Sequence, residues 1–193
     1  QMCIRDRIRT KYDPRVSDQG ESRTCYGHAI ANSIIAAELR IIGRDPSDFE
    51  SLKNSIVTFH QARRGKEEGP TPEDVQAIFQ WLYPKTKIRN KKIRTTQQIK
   101  KAIDNGRVVF TTFSLTNRGW HNFRAFFKSK KTNDWIIQKG DVDKDIENSV
   151  MSRTKQRKSG GGHAVVIVNY GVHKECGIYL SLIHISEPTR QLC

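Results

Sequence analysis

Gln19-Gly-Glu-Ser-Arg-Thr-Cys25-Tyr26 runs straight into Gly27-His-Ala-Ile-Ala-Asn-Ser-Ile34, and the join between the two segments organises the rest of the chain. From Cys25 to Ile42 the residues Tyr26, Ala29, Ile30, Ser33, Ile34, Ala37 and Ile41 recur at three and four, the spacing of one helical face, and Gly43 ends the run. Ala31, Ile35 and Ala36 carry the apolar cover around the helix, which places it inside the molecule. Thr24 is the expected N-cap. Cys25 then falls in the first turn, where free backbone N–H groups and the helix dipole favour an anion.

A thiol becomes a strong nucleophile as its thiolate, and a helix N-terminus and a neighbouring imidazolium are two ways to hold it so. Two readings of Cys25 follow: a small buried hydrophobe, or a nucleophile made accessible by the polar lead-in from Gly20 to Thr24. Gln19 stands six residues earlier. Its side-chain amide beside the Cys25 N–H would form a hole for a tetrahedral oxyanion, where one donor contributes about 10²–10³ in rate. Taken alone, Gln19-Gly20 is an ordinary turn.

The partner candidate is His163, in Gly160-Gly-Gly-His163-Ala-Val-Val. The following Ala164-Val-Val-Ile-Val168 is apolar enough for a strand buried on both faces. His163 is expected at the mouth of that strand, reaching across a cleft to the helix N-terminus; the alternative is an exposed loop histidine. His28 competes, but on the same helix as Cys25 it is expected to lie along the helix surface. His60, His121 and His173 show no metal-ligand spacing, and neither HExxH nor CxxC occurs, so no metal or cofactor is expected.

Between these motifs, Asp45 to His60 reads as an amphipathic helix entered through Pro46, and Arg63 to Pro70 as a loop. Thr71-Pro-Glu-Asp74 is a helix start, with Val75, Ile78, Phe79 and Leu82 on one face until Pro84. A shorter helix begins at Thr95 or Thr96 and ends at Asn105-Gly106. Arg107 to Leu115 reads as a strand, Trp120, Phe123 and Phe127 repeat at helical spacing, and Asp141 to Gly162 is a long polar loop. Helices first and strands later give an α+β fold with a helical N-terminal half and a β-rich C-terminal half.

The chain has 193 residues and a formal net charge of +14. Basic residues gather at Lys85–Lys101, Lys128–Lys131 and Arg153–Lys158, which reads either as solvated loops or as a surface for an acidic partner. Aromatic residues do not interleave with these runs as base-stacking platforms would, so nucleic acid is not the expected partner. No apolar run approaches the ~20 residues of a membrane span.

Both ends carry a foreign signature. Met2-Cys-Ile-Arg-Asp6 can be written ATG TGT ATA AGA GAC AG, whose reverse complement encodes Leu-Ser-Leu-Ile-His-Ile, the residues Leu180 to Ile185. These strings resemble a transposase adapter used in sequencing libraries, and Ser186-Glu-Pro-Thr-Arg190 matches its continuation. Residues 1–7 and 180–193 are therefore read as adapter-derived and 8–179 as the domain, truncated at both sides. The charge excess belongs almost wholly to the interior, since Asp6 offsets one of Arg5 and Arg7 and Glu187 balances Arg190. Cys25 and Cys176 remain, too few for a disulfide framework. A bridge between them would remove the candidate nucleophile.

At Gln19, Cys25 and Gly162-His163-Ala-Val the chain resembles the papain family of cysteine peptidases, whose pattern is Q-x-G-x-C-G-S-C-W followed by a G-H-A-V strand. The cysteine–histidine separation also falls within the ~130–150 residues of that pattern. The resemblance implies a two-subdomain α+β fold with the active site in the cleft between its halves, and a Cys25–His163 pair that hydrolyses peptide bonds through a thioester. It implies an oxyanion role for Gln19, substrate-backbone binding at Gly69 beside Pro70, and a polypeptide substrate. Ser22 stands where the family usually has a disulfide cysteine, and Tyr26 where it has tryptophan. The first departure weakens a lysosomal or secreted address and leaves a cytoplasmic one open. The triad asparagine is expected beyond Tyr179, past the truncation. Transglutaminase, amidase and deubiquitinase chemistries on a like Cys/His pair, and a non-catalytic basic binding module, are the alternatives.

Overall fold

The structure is a computed structural model that describes residues 24–43, 46–65, 69–117, 119–121, 123, 136–137, 160–173, 177–184 and 187–192. Helix α1 spans Cys25–Ala37 and passes into a π-helical turn, Glu38–Ile42, that ends where Gly43 takes the left-handed conformation at φ 70°. Glycine adopts that conformation without a Cβ clash, which is why the helix stops there. The expected cap is not made by a side chain. Thr24 forms no side-chain cap bond; instead its carbonyl accepts from the Gly27 N–H at 2.9 Å.

Helix α2 spans Phe49–Arg64. It starts later than the sequence pattern implied, because Asp48 rather than the Pro46 region supplies the cap, accepting from the Ser51 N–H at 2.8 Å. It also runs past His60 to Gly65, whose φ of 87° closes it. Helix α3, Pro72–Thr86, begins as expected: Thr71 and Asp74 form a reciprocal capping box. It passes through Pro84 instead of stopping there. In the last turn a missing N–H removes one hydrogen bond without breaking the helix, and Lys87 at φ 58° ends it. Helix α4, Thr96–Asp104, carries a second capping box between Thr95 and Gln98.

The strands are β1 Val109–Thr116, β2 Ile136–Ile137, β3 Gly160–His173, β4 Gly177–His184 and β5 Glu187–Leu192. They form one five-stranded sheet in the order β1-β3-β4-β5-β2, antiparallel except where β2 meets β5. The fold is α+β. Gly160 to Gly162, expected in a loop, are strand residues paired with Thr116, Leu115 and Ser114. His163 is thus the fourth residue of β3, opposite Phe113, rather than a residue at its mouth. Strand β4 continues from Tyr179 through the residues read as adapter, Leu180 to His184, of which Leu180 to Ile183 pair with β3 across one register shift. An alternating apolar segment beside an unpaired strand edge satisfies that edge's backbone groups.

Strand β3 is buried on both faces, as its composition implied. Ala164, Val166 and Val168 join Tyr26, Ile30, Ile34, Ile56, Ile78 and Leu82 in one core. Val165 and Ile167 join Ile103 and Val109 in another, on the side of α4. Period-two alternation along an extended chain produces that division. Helix α1 lies inside the first core with Ile30 and Ile34 fully buried, each such side chain contributing about 1.5–3 kcal/mol. Its approach to α2 depends on Gly27: a Cβ there would meet Val57 Cγ2 at 2.6 Å.

Candidate active site

Cys25 opens α1 and is a free, partly buried thiol, so no bridge to Cys176 forms; Cys176 itself lies outside the described residues. The sulfur accepts from backbone N–H groups of Ala164 and Tyr26 and from its own. The Ala164 contact is the informative one. It ties the start of α1 to the residue next to His163, 139 positions further along the chain. Burial pushes the Cys25 thiol above its ordinary value, and those N–H groups, Ala164 first, pull it the other way without reversing the shift. Sulfur near the helix N-terminus is therefore held by donors suited to a thiolate, in surroundings dry enough to favour the protonated form.

His163 is buried, and burial alone lowers its pKa to about 4. Its ring meets two aromatic edges: Phe113 at 5.7 Å and 77°, and Trp120 at 5.8 Å and 88°. Trp120 in turn packs edge-on with Phe123 at 5.5 Å. Above pH ~4 the imidazole is neutral and can accept a proton. The helical spacing of Trp120 and Phe123 was legible in the chain, but their place around His163 was not, because it depends on how the segment after β1 folds back over β3.

Tyr26, at the position where the resembled pattern has tryptophan, is buried in the α1 core. Its hydroxyl lies 3.1 Å from Nδ1 of His60, and the two rings stack obliquely at 4.7 Å. Burial, then the adjacent Cys25, push the Tyr26 phenol up to about 12. Sequence reading missed this pair, since the two residues lie on separate helices. His28 is buried against Phe49 at 5.9 Å rather than lying along an open helix surface. It therefore faces α2, away from competition for Cys25.

Gly69 sits in the loop before α3, exposed, and a Cβ there would touch nothing within 4 Å. Neither packing nor backbone strain demands glycine at that position. Gln19 lies outside the described residues. Among the described residues no cluster of histidine, cysteine and acidic groups could hold a metal, and no helix is long and apolar enough to cross a membrane.

No family model, curated protein or solved structure matches the chain.

Proposed function

We propose that the chain is the catalytic domain of a papain-like cysteine peptidase, with its reacting groups in a cleft between a helical and a β-rich subdomain. The observation that carries this reading is the Cys25 sulfur on the Ala164 N–H, next in the chain to His163. In this reading His163 takes the thiol proton as a peptide carbonyl approaches, and the thiolate attacks the carbonyl carbon. The Cys25 N–H and the Gln19 amide receive the oxyanion. The imidazolium protonates the leaving amine, and water, deprotonated by His163, hydrolyses the thioester. Gly69 offers its bare backbone to an extended substrate.

In this reading the resting pair is a neutral thiol and a neutral imidazole, because burial raises one group and lowers the other. Proton transfer begins the reaction instead of preceding substrate binding. The test is labelling of the full chain with a thiol-directed epoxide, mapped by peptide mass, alongside hydrolysis of a peptide panel with and without amine acyl acceptors. Label on Cys25 and hydrolysis lost in Cys25→Ala are expected. Hydrolysis that survives Cys25→Ala overturns the reading, and product formed chiefly with the amine acceptors moves it to acyl transfer.

A further inference from the structure

Between α3 and α4 the chain runs from Lys87 to Thr95 without regular secondary structure. Ile88 packs into the α1-side core and Ile93 into the α4-side core, so the segment passes from one face of the sheet to the other, pinned at both ends. With the isoleucines turned inward, Arg89, Asn90, Lys91, Lys92 and Arg94 are all exposed. The cation series continues on either side in Lys85, Lys87, Lys100 and Lys101.

No acidic residue occurs between Asp74 and Asp104, and both of those are already engaged. Asp74 is held by Nε of Arg64 at 3.0 Å, and Asp104 accepts from the Tyr170 hydroxyl at 2.8 Å. Neither the Lys53–Glu50 nor the Arg64–Asp74 ion pair involves this strap. Arg89 is also preset. Its guanidinium lies over the Tyr83 ring at 4.5 Å and donates to the Tyr83 hydroxyl at 3.1 Å, an arrangement that reduces the ordering needed on binding.

We infer that the strap from Lys85 to Lys101 is a binding surface for the phosphodiester backbone of double-stranded nucleic acid. From Arg89 to Arg94 the exposed residues are cations and one amide, with neither an apolar nor an aromatic side chain among them. Phosphate contacts need neither, and they carry no sequence information. The absence of stacking platforms, which argued against nucleic acid from sequence, argues only against base stacking. The surface is distinct from the Cys25–His163 site, and its success or failure is independent of the peptidase reading.

The experiment is fluorescence anisotropy of a 20-base-pair DNA duplex of arbitrary sequence titrated with the full chain at several NaCl concentrations. The triple variant K91E/K92E/R94E is compared with K155E/R157E/K158E, an equal charge change in another basic run. Micromolar binding that weakens with salt is expected. The strap variant should bind at least tenfold more weakly, with a salt slope shallower by about 2–3 at ~0.9 per phosphate contact, while the control variant stays within about threefold. Thermal midpoints unchanged in both variants verify that folding is intact; a strap variant that fails to fold is replaced by K91Q/K92Q, for which a smaller loss of the same sign is expected. Equal loss in strap and control variants assigns binding to net charge and overturns the proposal. Poly-glutamate of matched charge displacing the duplex at equal concentration also overturns it, by assigning the surface to acidic polypeptide.

Discussion

On one face of β3, Ala164, Val166 and Val168 pack under α1 in a large core drawn from three helices; on the other, Val165 and Ile167 pack with Ile103 and Val109 in a smaller one. The first face holds its polar atoms with partners of fixed geometry: the Cys25 sulfur on the Ala164 N–H and the Tyr26 hydroxyl by His60. On the second, His163 sits edge-on to Phe113 and Trp120, in surroundings that lower its pKa to about 4. Two residues adjacent in sequence thus enter different electrostatic settings. The pleat of one strand separates them.

The sharpest way to break this comparison is to weaken each core in turn. Ile34→Ala, on the α1 side, should cost about 2–5 kcal/mol, read as a lower midpoint in chemical denaturation. Ile103→Ala on the other side should cost a like amount per buried methylene. If Ile34→Ala proves nearly neutral, α1 is not the centre of the larger core.

Acid tests the second face. The unfolded histidine titrates near 6.5 and the folded one at about 4, so between those values the unfolded chain binds more protons. Stability attributable to His163 is complete above pH 6.5, falls as pH drops through 6.5 toward 4, and is lost below. At ~1.4 kcal/mol for each tenfold change in proton affinity, the loss is about 3 kcal/mol. His163→Phe should flatten that part of the stability–pH curve. If the curve keeps its slope, the histidine is not desolvated as described. Any peptidase activity should show its acid limb near pH 4, where the imidazole ceases to accept a proton.

Gly27→Ala probes how closely α1 meets α2. Its Cβ would press on Val57 at 2.6 Å, a β-branched side chain held stiff in a helix, so about 1–3 kcal/mol is expected. The double variant Gly27→Ala with Val57→Ala should recover much of it. The smallest effects separate two caps that look alike in sequence. Thr71→Ala removes a hydroxyl that accepts from the Asp74 N–H at 3.2 Å and donates to Asp74 Oδ2 at 2.9 Å, costing about 1 kcal/mol. Thr24→Ala removes no side-chain cap bond and should stay within about 0.5 kcal/mol. A cost at Thr24 as large as at Thr71 would contradict the observed start of α1.

Local signals were readable where the physics is local. Gly43 and Gly106 mark helix ends because their positive φ suits a residue without Cβ. Thr71 and Asp74 announce their capping box through spacing alone. The burial of β3 on both faces followed from its unbroken apolar run. The errors arose where distant partners decided the outcome. Gly160 to Gly162 resemble a loop until β1 pairs with them. Pro84 resembles a helix stop until its place in the last turn makes one lost hydrogen bond tolerable.

The order of residues settled which runs become helices and that the strand after His163 would be covered on both sides. These depend on side-chain type and on periods of two or 3.6 residues, and both are written along the chain. Folding settled where the thiol and the imidazole stand. Contact between a helix start and a strand more than a hundred residues away arises from packing α1 against the sheet, which no local pattern encodes. Desolvation of His163 by Phe113 and Trp120 likewise belongs to the assembled molecule, because water is excluded only once the segments close around the ring.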